Sequence, residues 1–139
     1  MGDILKDSPQ LKLGISVQSH MKKHLVIIED DPLLMQFLQN ELSLYYRVTA
    51  LSHVENIDEI LGIEPDVFLL DELLPVINGH LLCIILKSKV QTRDIPVLLM
   101  SGHPELKHYA SLCNADHYLA KPLNLSDLLI LLDRVTGQA

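Results

Sequence analysis

The sequence predicts an α/β fold, a doubly wound sheet of five parallel strands with helices between them. Two observations carry that expectation. From Leu25 onward, short aliphatic runs alternate with longer segments of helical periodicity, the pattern of parallel strands joined by crossover helices. Acids, a serine and a lysine stand just past four of those runs, where the strands of such a sheet end along a common ligand-binding crevice.

The first unit begins with Leu25 to Ile28, an unbroken aliphatic run closed by Glu29-Asp30-Asp31. Pro32 suits a first helical position, and Leu34, Phe37, Leu38 and Leu42 recur at helical spacing; Asp31 is read as serving that helix start. Arg47 to Ala50 is the weakest strand signal, as expected of a sheet edge, and Ile57, Ile60 and Leu61 make a short helix stopped by Gly62. Val67 to Leu70 is the third strand; after a turn at Asp71 a helix runs from about Gly79 to Lys89. The fourth strand, Val97 to Met100, ends in Ser101-Gly102 and leads to a helix over Glu105 to Cys113. Tyr118 to Ala120 is the fifth strand, ending at Lys121-Pro122, and Ser126 is expected to cap a last helix reaching about Val135.

A length of 139 residues is that of one domain with a core sufficient to fold unaided. Residues 1–20 show little periodicity, and His20-Met21 looks like the junction left by a common cloning site. They are therefore expected to be an added or disordered leader to a folded domain at 21–139; a native transcript encoding them would overturn this. With 48% apolar and 21% charged residues the chain is not of the disordered class. A net charge of −7 without a dense basic run excludes direct binding of nucleic acid. No apolar stretch reaches the roughly 18 residues of a membrane span, and no secretory signal opens the chain, so no membrane partner is expected. Cys83 and Cys113 lack metal-ligand spacing and read as buried, reduced thiols in a cytoplasmic protein. The seven histidines, scattered without zinc spacing, read as solvated surface residues.

The strand ends bring Glu29, Asp30, Asp31, Asp71, Ser101 and Lys121 toward one edge. Crowded acids repel one another unless a cation holds them ionised. A hard divalent ion such as Mg²⁺ suits oxygen ligands and leaves coordination positions for phosphate oxygens, while a lysine and a serine can each bind a phosphoryl oxygen. Asp71, presented where the rigid strand ends and the chain turns, is placed to be a nucleophile.

The segments "LVIIEDDP", "PDVFLLDELLPVING", "VLLMSG" and "ADHYLAKPL", in this order and spacing, resemble the receiver domain of two-component response regulators over about Lys23 to Val135. The resemblance implies a flavodoxin-like (βα)5 sheet in the order 2-1-3-4-5 with helices on both faces. It also implies Mg²⁺-dependent transfer of a phosphoryl group to Asp71 from a sensor histidine kinase or phosphotransfer protein. By position Asp30 is then the direct metal ligand, Glu29 the acid reaching the metal through water, and the carbonyl of Leu73 a further metal contact. Ser101 corresponds to the switch hydroxyl, Tyr118 to the switch aromatic and Lys121 to the phosphate-binding lysine. Pro122 is expected to follow a cis peptide, and the surface of helix 4, strand 5 and helix 5 to carry output or dimerisation.

Two features depart from a plain reading. The residues two past the acceptor and two past the switch hydroxyl, Leu73 and His103, tune attack by water; leucine cannot orient one, so slow self-dephosphorylation is expected. The runs "LLCIIL" at 81–86 and "LLILL" at 128–132 are apolar almost all round, which points to self-association or partner docking through the last helix. The domain is expected to be a phosphoacceptor rather than an enzyme. One rival is an aspartate-nucleophile phosphatase of the haloacid dehalogenase type, which would want an acid where Leu73 stands; the other is an interaction module with a vestigial site.

Overall fold

The structure, a computed structural model, describes residues 22–138; the expected leader at 1–20 lies outside the described residues. Strands and helices alternate strictly: β1 (His24–Ile28), α1 (Pro32–Leu42), β2 (Arg47–Leu51), α2 (Asp58–Leu61), β3 (Val67–Asp71), α3 (Gly79–Ser88), β4 (Val97–Ser101), α4 (Leu106–Cys113), β5 (His117–Ala120) and α5 (Leu125–Thr136). All strand pairs are parallel, in the order β2-β1-β3-β4-β5. This is the flavodoxin-like (βα)5 sheet that the sequence predicts.

The aliphatic runs of β1, β3 and β4 are buried at every position because each strand has a neighbour on both sides and helices on both faces. Alternate side chains enter separate cores. Val26, Ile28, Phe68, Leu70, Val97 and Leu99 pack with α2, α3 and α4 through residues such as Ile60, Leu82 and Ala110. Leu25, Ile27, Val67, Leu69, Leu98 and Met100 pack with α1 and α5 through Leu38, Leu42, Leu128 and Leu132. β2 and β5 close the two edges, with no fully buried position in either; partial burial explains why β2 had the faintest apolar signal.

Helix starts are set by side-chain caps. Asp31 Oδ1 accepts from the Leu33 and Leu34 N–H groups at 3.0 and 3.5 Å, with Pro32 behind it. Asn78 caps α3 through the Leu81 N–H. At α5 the cap is Asn124, not Ser126: Asn124 has extended backbone and its Oδ1 accepts from the Asp127 N–H at 3.0 Å, while Ser126 already lies in the first turn. Only glycine fits at 79, where a Cβ would come within 2.3 Å of the Asp71 carbonyl oxygen. That close approach seats the start of α3 directly behind the end of β3.

The apolar excess of α5 is largely absorbed by the core. Leu128 and Leu132 are buried, Leu129 and Leu131 pack partly against them, and Ile130 stays exposed. The helix is also tied across the fold: the Tyr46 hydroxyl donates to Asp133 Oδ1 at 2.6 Å, and burial together with that carboxylate pushes the phenol pKa up. On α3, Leu81 and Ile84 remain exposed while Leu82, Cys83 and Leu86 are buried. Cys83 and Cys113 are buried free thiols, as expected.

Against the solvated reading, of the six described histidines only His108 is exposed; His53, His80, His103 and His117 are half-buried and His24 is buried. His80 is half-buried against Glu72, and His24 is buried at the start of β1, its Nε2 2.7 Å from Thr49 Oγ1. Burial, helped by the Arg47 charge and opposed by Asp66, draws the His24 pKa below its ordinary 6.5. The folded state therefore favours the neutral ring, and the unfolded chain takes up a proton first as pH falls. The stabilising contribution is complete above 6.5 and is lost as pH drops through the lowered folded-state value. Urea unfolding at about pH 7.5 and about pH 5.5 should show a fall in midpoint that is smaller in His24→Gln; equal falls in both proteins would remove His24 from the acid response.

Candidate functional site

The site forms where four parallel strands stop. Backbone bonds continue the ladder one residue past them: Glu29 N–H donates to the Leu51 carbonyl at 3.0 Å, Glu72 N–H to Met100 at 2.8 Å, and Lys121 N–H to Ser101 at 2.9 Å. These bonds tie the end of β1 to β2 and the ends of β3 and β5 to β4, and the β1–β3 register, with Ile28 opposite Leu70, completes an edge of residues far apart in the chain.

Glu29, Asp30 and Asp71 each offer a carboxylate oxygen, and these three atoms lie within 4.8 Å of one another. Glu29 and Asp71 are buried, and Asp30 opens to solvent. Lys121 Nζ lies 2.8 Å from Glu29 Oε1 and 3.3 Å from Asp71 Oδ2, bridging the two buried acids. Asp71 Oδ1 accepts from the Leu73 N–H at 3.2 Å, and Glu29 Oε2 from the Asp31 N–H at 3.0 Å. Asp31 itself belongs to the α1 cap.

Burial pushes the Glu29 carboxyl pKa up and the neighbouring Asp71 adds to this, while the Lys121 and Asp31 hydrogen bonds pull it down. For Lys121, burial acts downward but the Glu29 and Asp71 carboxylates outweigh it and raise the pKa, so the ammonium is firmly held. One ammonium among three carboxylates leaves negative charge uncompensated. The donor set, oxygen only and partly open to solvent at Asp30, fits a hard divalent cation.

Ser101 is buried at the end of β4, and its Oγ accepts from the His103 N–H at 3.0 Å. His103 Nδ1 accepts from the Glu105 N–H at 3.0 Å, which commits that ring nitrogen to its own loop. Tyr118, paired in register with Leu99, is 46% exposed on β5, and Leu73 is 63% exposed in the turn after Asp71. The Lys121–Pro122 peptide is cis. The structure thus gathers Glu29, Asp30, Asp71 and Lys121 into one cluster, sets Ser101 on the adjoining strand end, and leaves Tyr118 and the Leu73 side chain facing outward.

One pair at this edge escaped the sequence reading. Glu72, 3% exposed, accepts from the His80 backbone N–H at 2.9 Å and from His80 Nδ1 at 2.6 Å. An acid directly after Asp71 was visible, but its partner eight residues on follows no helical or strand period. Only the turn that folds α3 back under β3 brings them together.

A family model described as "Response regulator receiver domain" matches residues 25–133. Response regulator MprA of Mycobacterium bovis is 31% identical over 113 residues, covering 78% of this chain and 48% of that protein. Hybrid signal transduction histidine kinase D of Dictyostelium discoideum is 30% identical over 113 residues, 79% of this chain but 7% of that protein. The chain thus spans less than half the length of these curated relatives. Among solved structures, a receiver domain of a Syntrophus aciditrophicus signal transduction histidine kinase aligns with a TM-score of 0.75 at 26% identity, over 83% of this chain and 90% of that one. The receiver domain of a Pseudomonas aeruginosa sensor histidine kinase, which holds a magnesium ion in its active-site cleft, aligns at 0.77 and 23% identity, over 84% and 99%. By the span of the family match and the fold that accompanies it, this chain belongs to the response regulator receiver domain family.

Proposed function

We propose that this receiver domain accepts a phosphoryl group on Asp71 from the phospho-histidine of a sensor histidine kinase or phosphotransfer protein, in a Mg²⁺-dependent reaction. The observation that supports this above all is the Lys121 ammonium bridging Glu29 and Asp71 within a three-carboxylate cluster at the strand ends.

Asp30, Glu29, Asp71 and the Leu73 carbonyl are the groups that would hold Mg²⁺, Glu29 through a water. When bound, the ion offsets the negative charge of the acids and of the phosphoryl oxygens. An Asp71 oxygen attacks phosphorus in line as the bond to the donor imidazole nitrogen breaks, and that nitrogen leaves with the bond pair. Lys121 and the Ser101 hydroxyl bind the transferring oxygens, where their charge and dipole act with little solvent between. Asp71 needs no general base, because its carboxylate is already the nucleophile. The outcome is self-modification rather than turnover of an external substrate.

After transfer, Ser101 turns from the His103 N–H to the phosphoryl group and Tyr118 moves inward, re-shaping the α4–β5–α5 face. Exposed Leu112, Tyr118 and Ile130 lie on those three elements and suit self-association or docking there. Beside the crevice, Leu33 and Phe37 on α1 are exposed apolar groups suited to the phosphoryl donor. No helix among the described residues is long and apolar enough to cross a membrane, and the two free thiols fit a cytoplasmic setting.

Intact-mass spectrometry after incubation with Mg²⁺ and acetyl phosphate should show one phosphoryl adduct that is absent from Asp71→Asn and from the Mg²⁺-free control; an adduct that persists in Asp71→Asn would misplace the acceptor. The Leu73 side chain cannot orient an attacking water, and one nitrogen of His103 is engaged, so the adduct should be long-lived. Leu73→Asn should shorten its lifetime by about tenfold, and an unchanged lifetime would acquit that position. Sedimentation velocity with and without a phosphoryl mimic should show concentration-dependent association that weakens in Ile130→Glu, whereas a monomer under all conditions would exclude the dimer.

A further inference from the structure

Glu72 and His80 take no part in the mechanism above, yet they occupy the turn that presents Asp71. A carboxylate 3% exposed is costly unless its oxygens are bonded, and here both bonds come from one residue, the backbone and the ring of His80. The ionised carboxylate can only accept, so Nδ1 carries the proton of the 2.6 Å bond. The same ring stacks on Tyr109 of α4, with centroids 5.0 Å apart and planes at 12°. Tyr109 in turn meets the His103 ring in an edge-type contact, with centroids 5.4 Å apart and planes at 63°. The His103 N–H is the group bonded to Ser101 Oγ.

These contacts form a circuit with both ends at the crevice. It leaves the acceptor turn through Glu72, passes His80, Tyr109 and His103, and returns at Ser101. A hydrophobic residue at 72 would fill the space without needing donors, so packing alone does not account for a buried acid held at two points.

We propose that His80 is a positioning residue for the phosphoacceptor reaction: it holds Glu72, and with it the Asp71 to Leu73 turn, while its ring ties that turn to Tyr109 of α4. The inference rests on the function proposed above and extends it. His80 touches neither donor nor phosphoryl group. The Glu72 bond sets where the Asp71 carboxylate points, and the stack carries a change at Ser101 and His103 to the helix-3 side as well as to α4. The start of α3 is fixed in the same way, since the Gly79 N–H donates to the Glu72 carbonyl at 3.0 Å.

The test uses the full chain with His80→Ala, His80→Asn and His80→Phe. Asparagine restores an N–H donor near the Nδ1 position without an aromatic ring, whereas phenylalanine restores the ring without the donor. Two readouts are taken: the rate of adduct formation with acetyl phosphate and Mg²⁺, and the change in α4 amide exchange on adding beryllofluoride. His80→Ala should slow the adduct about tenfold, as misplacement of a reacting group does, and lose the α4 response. His80→Asn should recover the rate but not the response, and His80→Phe the response but not the rate. Wild-type rate and response in His80→Ala, or an asparagine variant as slow as the alanine one, would overturn the proposal. If His80→Ala does not fold by circular dichroism, equal rates in the asparagine and phenylalanine variants overturn it. Absence of an adduct in the wild-type protein would instead fail the proposed function, and with it this extension.

Discussion

Lys121 draws together acids that would otherwise force the strand ends apart. Its ammonium sits between Glu29 at the end of β1 and Asp71 at the end of β3, and its own backbone is bonded to Ser101 at the end of β4. Two buried carboxylates within one cluster are tolerable only with positive charge among them. The single cation offsets part of that charge, and the shortfall is what would draw a further cation and, on the function proposed above, a phosphoryl group. The site is thus held in a state of incomplete neutralisation by the same residue that holds it together.

That arrangement is possible because the sheet is rigid and dry up to its last residue. β1, β3 and β4 are buried on both faces, and apart from His24 at the opposite end of β1 their polar side chains, Asp71 and Ser101, stand at the carboxyl edge, where chemistry is confined. Gly79 lets α3 approach the Asp71 carbonyl, and Asp31 both starts α1 and donates its N–H to Glu29. Capping and site-building are shared by the same few residues. Little of the edge is free to vary without moving an acid.

The elements nearest the site differ in how firmly they are anchored. β5 and α4 lie at the far edge of the sheet, where Tyr118 is half exposed and a groove of about 540 Å³ opens between them, lined by Lys107, Ser111, Asp116 and His117 among others. β1 and β3 have neighbours on both sides. On the function proposed above, a change of charge at Asp71 would meet a well-buried wall on one side and a less buried edge on the other, the physical condition for such an event to be read at α4 and β5.

Much of this protein was legible in one dimension. Fully buried parallel strands need unbroken aliphatic runs, so β1, β3 and β4 announced themselves, and the residue type just past each run named Glu29, Asp30, Asp71, Ser101 and Lys121 as the edge group. β2 was faint because an edge strand is only partly buried, and the α5 cap was misassigned to Ser126 because two candidate cap residues lie two positions apart and only backbone conformation selects Asn124. The apolar excess of α5 could not be apportioned between core and surface until Leu128 and Leu132 were seen inside and Ile130 outside. The burial of His24 and the Glu72–His80–Tyr109 contacts had no periodic signal at all. Sequence alone determined the order of elements and the chemistry stationed at their ends, because both follow from local pattern. Tertiary structure decided which distant groups share a hydrogen bond or a ring face, because that depends on how a turn and two helices close over the sheet.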